Sequence, residues 1–69
     1  MPATTRTYAV IGMTCAHCVR SVEDEVGAVP GVERVDVDLA SGALAVTGTD
    51  VADEAVHAAV AEAGYEVAP

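Results

Sequence analysis

Thr7-Tyr8-Ala9-Val10-Ile11-Gly12-Met13-Thr14-Cys15-Ala16-His17-Cys18-Val19, residues 7–19, changes from one hydrophobic period to another in the space of a single loop. Thr7 to Ile11 is a β-branched and aromatic run of the kind a strand uses. From Val19 onward the apolar positions recur at Val22, Val26 and Val29, spacings of three and four that mark one face of a helix. Between strand and helix lies Gly12–Cys18, which carries the only two cysteines of the chain. Thiols three residues apart at a helix start point the same way, toward solvent. The unpaired N–H groups and the positive dipole end of that helix favour thiolate over thiol. Two thiols so placed form one claw for a soft metal.

Outward from this stretch, Val29-Pro30-Gly31 ends the helical pattern, because proline cannot continue a helix and glycine permits the chain to reverse. A second strand begins near Val32. Its alternation predicts Val35, Val37 and Leu39 on the buried face, with Asp36 and Asp38 in water. Ala40-Ser41-Gly42 reads as a turn into an antiparallel partner, Ala43 to Thr47. A second helix follows, with Thr49 and Asp50 as N-cap candidates and Asp53 and Glu54 at its positive end. Ala52, Ala55, Val56, Ala59, Val60 and Ala63 form its apolar face, Gly64 stops it, and Tyr65-Glu66-Val67 makes the last strand before Pro69. The order βαββαβ predicts an α+β, ferredoxin-like sandwich: a four-stranded antiparallel sheet with two helices on one face. The expectation is one domain over residues 1–69, with a core spanning 6–68.

Sixty-nine residues hold a single small core, and with no Phe or Trp that core must be built of valine and alanine. Eleven acids face only Arg6, Arg20 and Arg34, a net charge of −8, which argues against a nucleic-acid or anionic-membrane partner and for one with a basic patch. No charged segment leads into a long apolar run near Met1, and no stretch approaches the roughly 18 residues a membrane span needs. A cytoplasmic chain is expected. In that reducing compartment a Cys-x-x-Cys pair points to metal or redox chemistry rather than a structural disulfide.

Two thiolates without a third strong protein ligand suit Cu(I) first among biological metals. A structural zinc site would require four ligands, hence both His17 and His57, and His57 falls on the Asp53, Glu54 and Ala61 face opposite the apolar stripe. Met13 is expected to anchor the loop to the core, Thr14 to cap or hydrogen-bond within the loop, and His17 to stand in solvent beside the sulfurs. Tyr8 is expected in the core, while Ile11 should point away from it.

Gly-Met-Thr-Cys-x-x-Cys after a first strand, in a βαββαβ chain of this length, resembles the heavy-metal-associated domain of copper chaperones and copper-transporting P-type ATPases. The resemblance runs from residue 6 to 68. It implies Cu(I) held by Cys15 and Cys18 in a near-linear, exposed site, with transfer when a partner thiolate adds before an original sulfur leaves. In this family the loop before the last strand commonly carries tyrosine in bacterial chaperones, phenylalanine in ATPase domains and lysine in eukaryotic chaperones. Tyr65 at that position, in a chain that begins at Met1 and ends just after the fold, resembles a free-standing bacterial copper chaperone of the CopZ type. A connection between third strand and second helix shorter than in many relatives is its one departure. The partners implied are the metal-binding domain of a copper-transporting ATPase and a copper-responsive repressor, with a monomeric apo form and a copper-bridged dimer as a further state. An excised ATPase domain and a mercury-binding relative share the motif. A thiol–disulfide oxidoreductase fits poorly: the chain has no tryptophan before the motif, and neither Pro30 nor Pro69 is placed to face it. Tyr65, Met13, Thr14 and His17 are the residues expected around the sulfurs.

Overall fold

A computed structural model describes residues 3–68; Met1, Pro2 and Pro69, the ends of the expected 1–69 domain, lie outside the described residues. The chain runs β1 (Thr4–Ile11), α1 (Ala16–Gly27), β2 (Val32–Asp38), β3 (Ala43–Gly48), α2 (Asp53–Glu62) and β4 (Glu66–Val67). The strands form one antiparallel sheet in the order β2-β3-β1-β4, the expected sandwich. β3 is flanked on both sides, and its alternating residues Leu44 and Val46 are buried. They meet Val10 of β1, Val22 and Val26 of α1, and Val56, Ala59 and Val60 of α2 in a single cluster. The helical faces read from periodicity are the faces that pack, except at their first residues: Val19 is outside the cluster, and Ala52 is exposed because it is the N-cap of α2 rather than part of its packed face. With six valines in that cluster and Leu44 its largest side chain, the interior has no bulky residue to absorb a lost methyl group.

Several boundaries differ from expectation, each for a local reason. β1 starts at Thr4, not Thr7, because Thr4, Thr5 and Arg6 pair with Gly48, Thr47 and Val46 of the neighbouring strand. β2 stops at Asp38, so Leu39 is not on the buried face but in the turn, 39% exposed. Asp38 causes this: its carboxylate accepts from the Ala40 amide at 3.1 Å and the Ser41 hydroxyl at 3.0 Å, while its carbonyl accepts from the Gly42 amide at 2.8 Å. That local turn draws the chain around one residue early. Neither Thr49 nor Asp50 caps α2; the N-cap is Ala52, with no side-chain bond. The Gly31 and Gly48 backbones approach too closely to admit a β-carbon at either, the Thr49 amide is bonded to Gly31, and Asp50 takes φ +56° to redirect the chain. The Thr49 hydroxyl is meanwhile spent on Glu33 at 3.2 Å. The helix begins only after this clasp.

Tyr8 is half-buried rather than fully in the core, since its hydroxyl reaches out to Asp53 at 2.7 Å. Arg6 joins the same carboxylate, and the His57 ring stands edge-on to Tyr8 with centroids 5.9 Å apart. Ile11 is 51% exposed on the opposite side of β1, as its alternation requires. No helix among the described residues is long and apolar enough to cross a membrane.

Candidate metal centre

Gly12 takes φ +98°, a conformation that side chains resist, and it turns the chain out of β1 toward the start of α1. Met13 then packs half-buried against the core and fixes the loop, as expected. Cys15 is the N-cap of α1 in extended conformation, and its carbonyl accepts from the amides of Cys18 at 3.0 Å and Val19 at 3.3 Å. Cys15 is therefore outside the helix and exposed, while Cys18 lies in the first turn and is half-buried. Both are free thiols, and their sulfurs are 3.5 Å apart.

Thr14 is not the cap. Its hydroxyl turns instead to the Cys18 sulfur at 3.8 Å, the loop hydrogen-bonding role foreseen as its alternative. The Cys18 thiol is lowered from 9.0 to about 6, first by the main-chain amide of Thr14, then by the Tyr65 hydroxyl, with Cys15 adding to both. The thiolate form of Cys18 is thereby favoured near neutral pH. Reciprocally, the Cys18 charge raises the Tyr65 phenol above its usual value, so the ring stays protonated and able to donate. The sulfur's side-chain hydrogen-bond partners are Thr14 and Cys15.

Tyr65 arrives here through the end of α2. Gly64 takes φ +95°, its amide bonds to the Ala61 carbonyl at 3.0 Å, and the Tyr65 amide bonds to the Val60 carbonyl at 3.0 Å. This is the glycine-ended turn that closes helices with paired reverse bonds. A β-carbon built on Gly12 would stand 3.5 Å from Tyr65 Cδ1, so the ring lies directly over that loop.

The structure thus brings Cys15, Cys18, Thr14 and Tyr65 together, with Met13 beneath them. It leaves His17 exposed, with its carbonyl accepting the Ser21 hydroxyl at 3.1 Å and its ring unused. His57 is occupied with Tyr8. Among the described residues no group of three or more His, Cys, Asp or Glu side chains could share one metal ion, so the sulfur pair has no protein partner with which to build a tetrahedral site. Sequence reasoning missed the Thr14 amide as the main influence on Cys18. It also missed the Arg6–Asp53–Tyr8 cluster, whose members lie far apart in the sequence.

The heavy-metal-associated domain model matches residues 7–66. Copper-transporting ATPase 1 of Rhizobium meliloti is 45% identical over 67 residues, which cover 96% of this chain and 8% of the ATPase. Copper chaperone CopZ of Bacillus subtilis is 38% identical over 65 residues, covering 91% of this chain and 94% of the chaperone. A solved CopZ metallochaperone superposes with a TM-score of 0.90 at 33% identity, over 94% of this chain and 100% of that one. The chain therefore spans less than a tenth of the ATPase relatives and nearly all of the chaperone relatives.

Proposed function

The chain belongs to the heavy-metal-associated domain family, and on that premise we propose that it is a cytoplasmic Cu(I) metallochaperone, binding one ion through Cys15 and Cys18. It passes the ion by ligand exchange to the metal-binding domain of a copper-exporting P-type ATPase or to a copper-responsive repressor. The observation that carries this reading is the sulfur pair itself. Two thiols meet at 3.5 Å on an exposed helix start with no third ligand beside them among the described residues, a donor set that suits a soft ion content with two bonds.

The two sulfurs are not equivalent, and the asymmetry supplies an order of events. Sulfurs that start 3.5 Å apart must separate by about 1 Å before an ion bonded at roughly 2.3 Å to each lies near the line between them. Cys15, exposed and outside the helix, is the one free to move; Cys18 is fixed in the first turn, and its surroundings favour the thiolate. An incoming partner thiolate adds to the open side of the ion, the Cys15 bond breaks, and Cys18 is the last to release. Tyr65, whose ring lies over Gly12, limits access by water and stray thiols.

A second reading, the amino-terminal metal-binding domain of a copper-transporting ATPase, is favoured by the 45% identity to one such protein. Tyr65, the residue type typical of bacterial chaperones, favours the first. The mass of the native product in cell extract separates them: about 6.9 kDa supports a free chaperone, and a much larger band supports a domain.

Anaerobic titration with Cu(I) against a competing chelator, followed by native mass spectrometry, tests the binding. One equivalent per chain is expected, with a copper-bridged pair as a separate mass. Cys15→Ser and Cys18→Ser should each abolish tight binding, since one sulfur makes no chelate. Native-like affinity in either variant would sink the proposal.

A further inference from the structure

We propose that Gly64 is a positioning residue for the metal loop: its left-handed backbone, rather than its small size, holds Tyr65 over Gly12 and beside Cys18. The functional consequence rests on the Cu(I) reading above, while the positioning itself is a property of the metal-free protein. Tyr65 is held by its backbone at both ends. On one side its amide is bonded to the carbonyl of Val60, a residue wholly buried in the core. On the other, Glu66 pairs at once with Ile11 of β1. Tyr65 is the single residue between helix-ending turn and strand, so the turn at Gly64 sets the direction in which its Cα–Cβ bond leaves the chain, and with it the rotamers that can reach Gly12.

That turn depends on conformation alone. A β-carbon at Gly64 would meet nothing within 4 Å, so there is room for any small side chain. At φ +95°, however, an ordinary L-residue is strained, a β-branched one most of all, while asparagine tolerates the left-handed region better. The contrast with Gly31 and Gly48 is complete, because there an added β-carbon would strike backbone oxygen at 2.3 and 2.2 Å. If an L-residue at 64 relaxes toward negative φ, the paired bonds to Ala61 and Val60 are lost. Tyr65 then swings off the loop, although the core side of α2 is untouched.

Four forms of the chain test this: Gly64→Val, Gly64→Asn, Gly64→Ala, and a synthetic chain with D-alanine at 64, which has the atoms of Gly64→Ala but the opposite hand. The first readout is the nuclear Overhauser contact between the Gly12 α-protons and the Tyr65 ring in metal-free protein. The second is the rate at which Cu(I) passes to dithiothreitol. Gly64→Val should lose the contact and speed exchange about tenfold, to the level of Tyr65→Ala. Gly64→Val combined with Tyr65→Ala should be no faster than Tyr65→Ala alone, because both act through one ring. Gly64→Asn and the D-alanine chain should keep the contact and exchange within about twofold of the parent. Equal acceleration by Gly64→Val in the Tyr65→Ala background would overturn the proposal, and so would D-alanine and Gly64→Ala behaving alike. Should Gly64→Val fail to fold, that last pair decides. A parent chain that binds no Cu(I) would refute the proposed function, whereas the metal-free contact would still decide the role of Gly64.

Discussion

The starts of the two helices share a backbone plan and differ in charge. Cys15 and Ala52 are the N-caps, both extended and both without a side-chain cap bond. Each offers its carbonyl to the amides three and four residues on: Cys18 and Val19 in α1, Ala55 and Val56 in α2. In α2 the next two positions are Asp53 and Glu54, carboxylates that answer the positive dipole end. The matching positions in α1 are Ala16 and His17, and its first turn carries no acid. In a chain of net charge −8 that omission is conspicuous. The positive end of α1 is left without a carboxylate of its own, so no fixed negative charge in that turn opposes the Cys18 thiolate that the Thr14 amide and the Tyr65 hydroxyl favour. On the proposed function, one helix start serves stability and the other serves metal binding.

Inside the core the two helices are equals. Val22 and Val60 are both wholly buried in the same cluster, so Val22→Ala and Val60→Ala should each cost about 1–3 kcal/mol. For a domain of this size that is a fall of roughly 4–8 °C in melting temperature for every kcal/mol. Thermal melts of the metal-free protein give the answer. If only one variant is destabilised, the helices do not contribute alike and the difference between them extends beyond their first turns.

A smaller effect should follow from making α1 resemble α2. Ala16→Asp puts a carboxylate where α2 has Asp53, beside Cys18. The dipole favours the new acid, but its charge opposes the thiolate, so the Cys18 thiol should rise above about 6. The consequence for stability has a definite sign. A thiol lowered from 9.0 to about 6 on folding contributes stability that is fully present above 9 and is lost as pH falls toward 6. Parent protein should therefore become more resistant to urea between pH 6 and 9. Ala16→Asp should show a smaller rise that begins at higher pH, and Cys18→Ser should lose this contribution. Thiolate absorbance in a Cys15→Ser background reads the titration directly. An unchanged Cys18 titration in Ala16→Asp would mean that the missing acid at α1 has no bearing on the sulfur.

What the sequence disclosed divides along the same physical line. Periodicity reports which side of an element is buried, so Val22, Val26, Val56, Val60, Val35 and Val37 could be placed from spacing, and Gly64 could be read as a stop. The cysteine pair was legible because its helix-start position follows from where one period yields to another. Polar groups with several available partners were not legible. Asp38 takes three turn bonds and shifts Leu39 out of the strand. Thr49 looks like a cap but is bonded to Glu33, and Thr14 turns to sulfur instead of capping. In each case the sequence shows a capable side chain, and only the fold decides which neighbour it meets.

Asp53 is the counterpart that should matter for α2 and be silent at the sulfurs. It accepts from Tyr8 and from Arg6, which between them hold its carboxyl below the usual value, the Tyr8 hydroxyl contributing most. A carboxyl lowered by folding contributes stability above its ordinary pKa, and that contribution disappears as pH falls through the lowered value. Asp53→Asn removes the charge at the dipole and weakens both bonds, but the site is exposed and screened by solvent, so the melting temperature at pH 7 should fall less than in either valine variant. Acid unfolding should also become shallower, since one proton-linked group is gone. α2 rises about 15 Å between Asp53 and the turn that carries Tyr65. Over that length the charge is largely screened at ordinary salt. Cu(I) exchange with dithiothreitol should therefore match the parent. A changed exchange rate in Asp53→Asn would show that the two helix starts are coupled, and the separation between a start that stabilises and a start that binds would have to be abandoned.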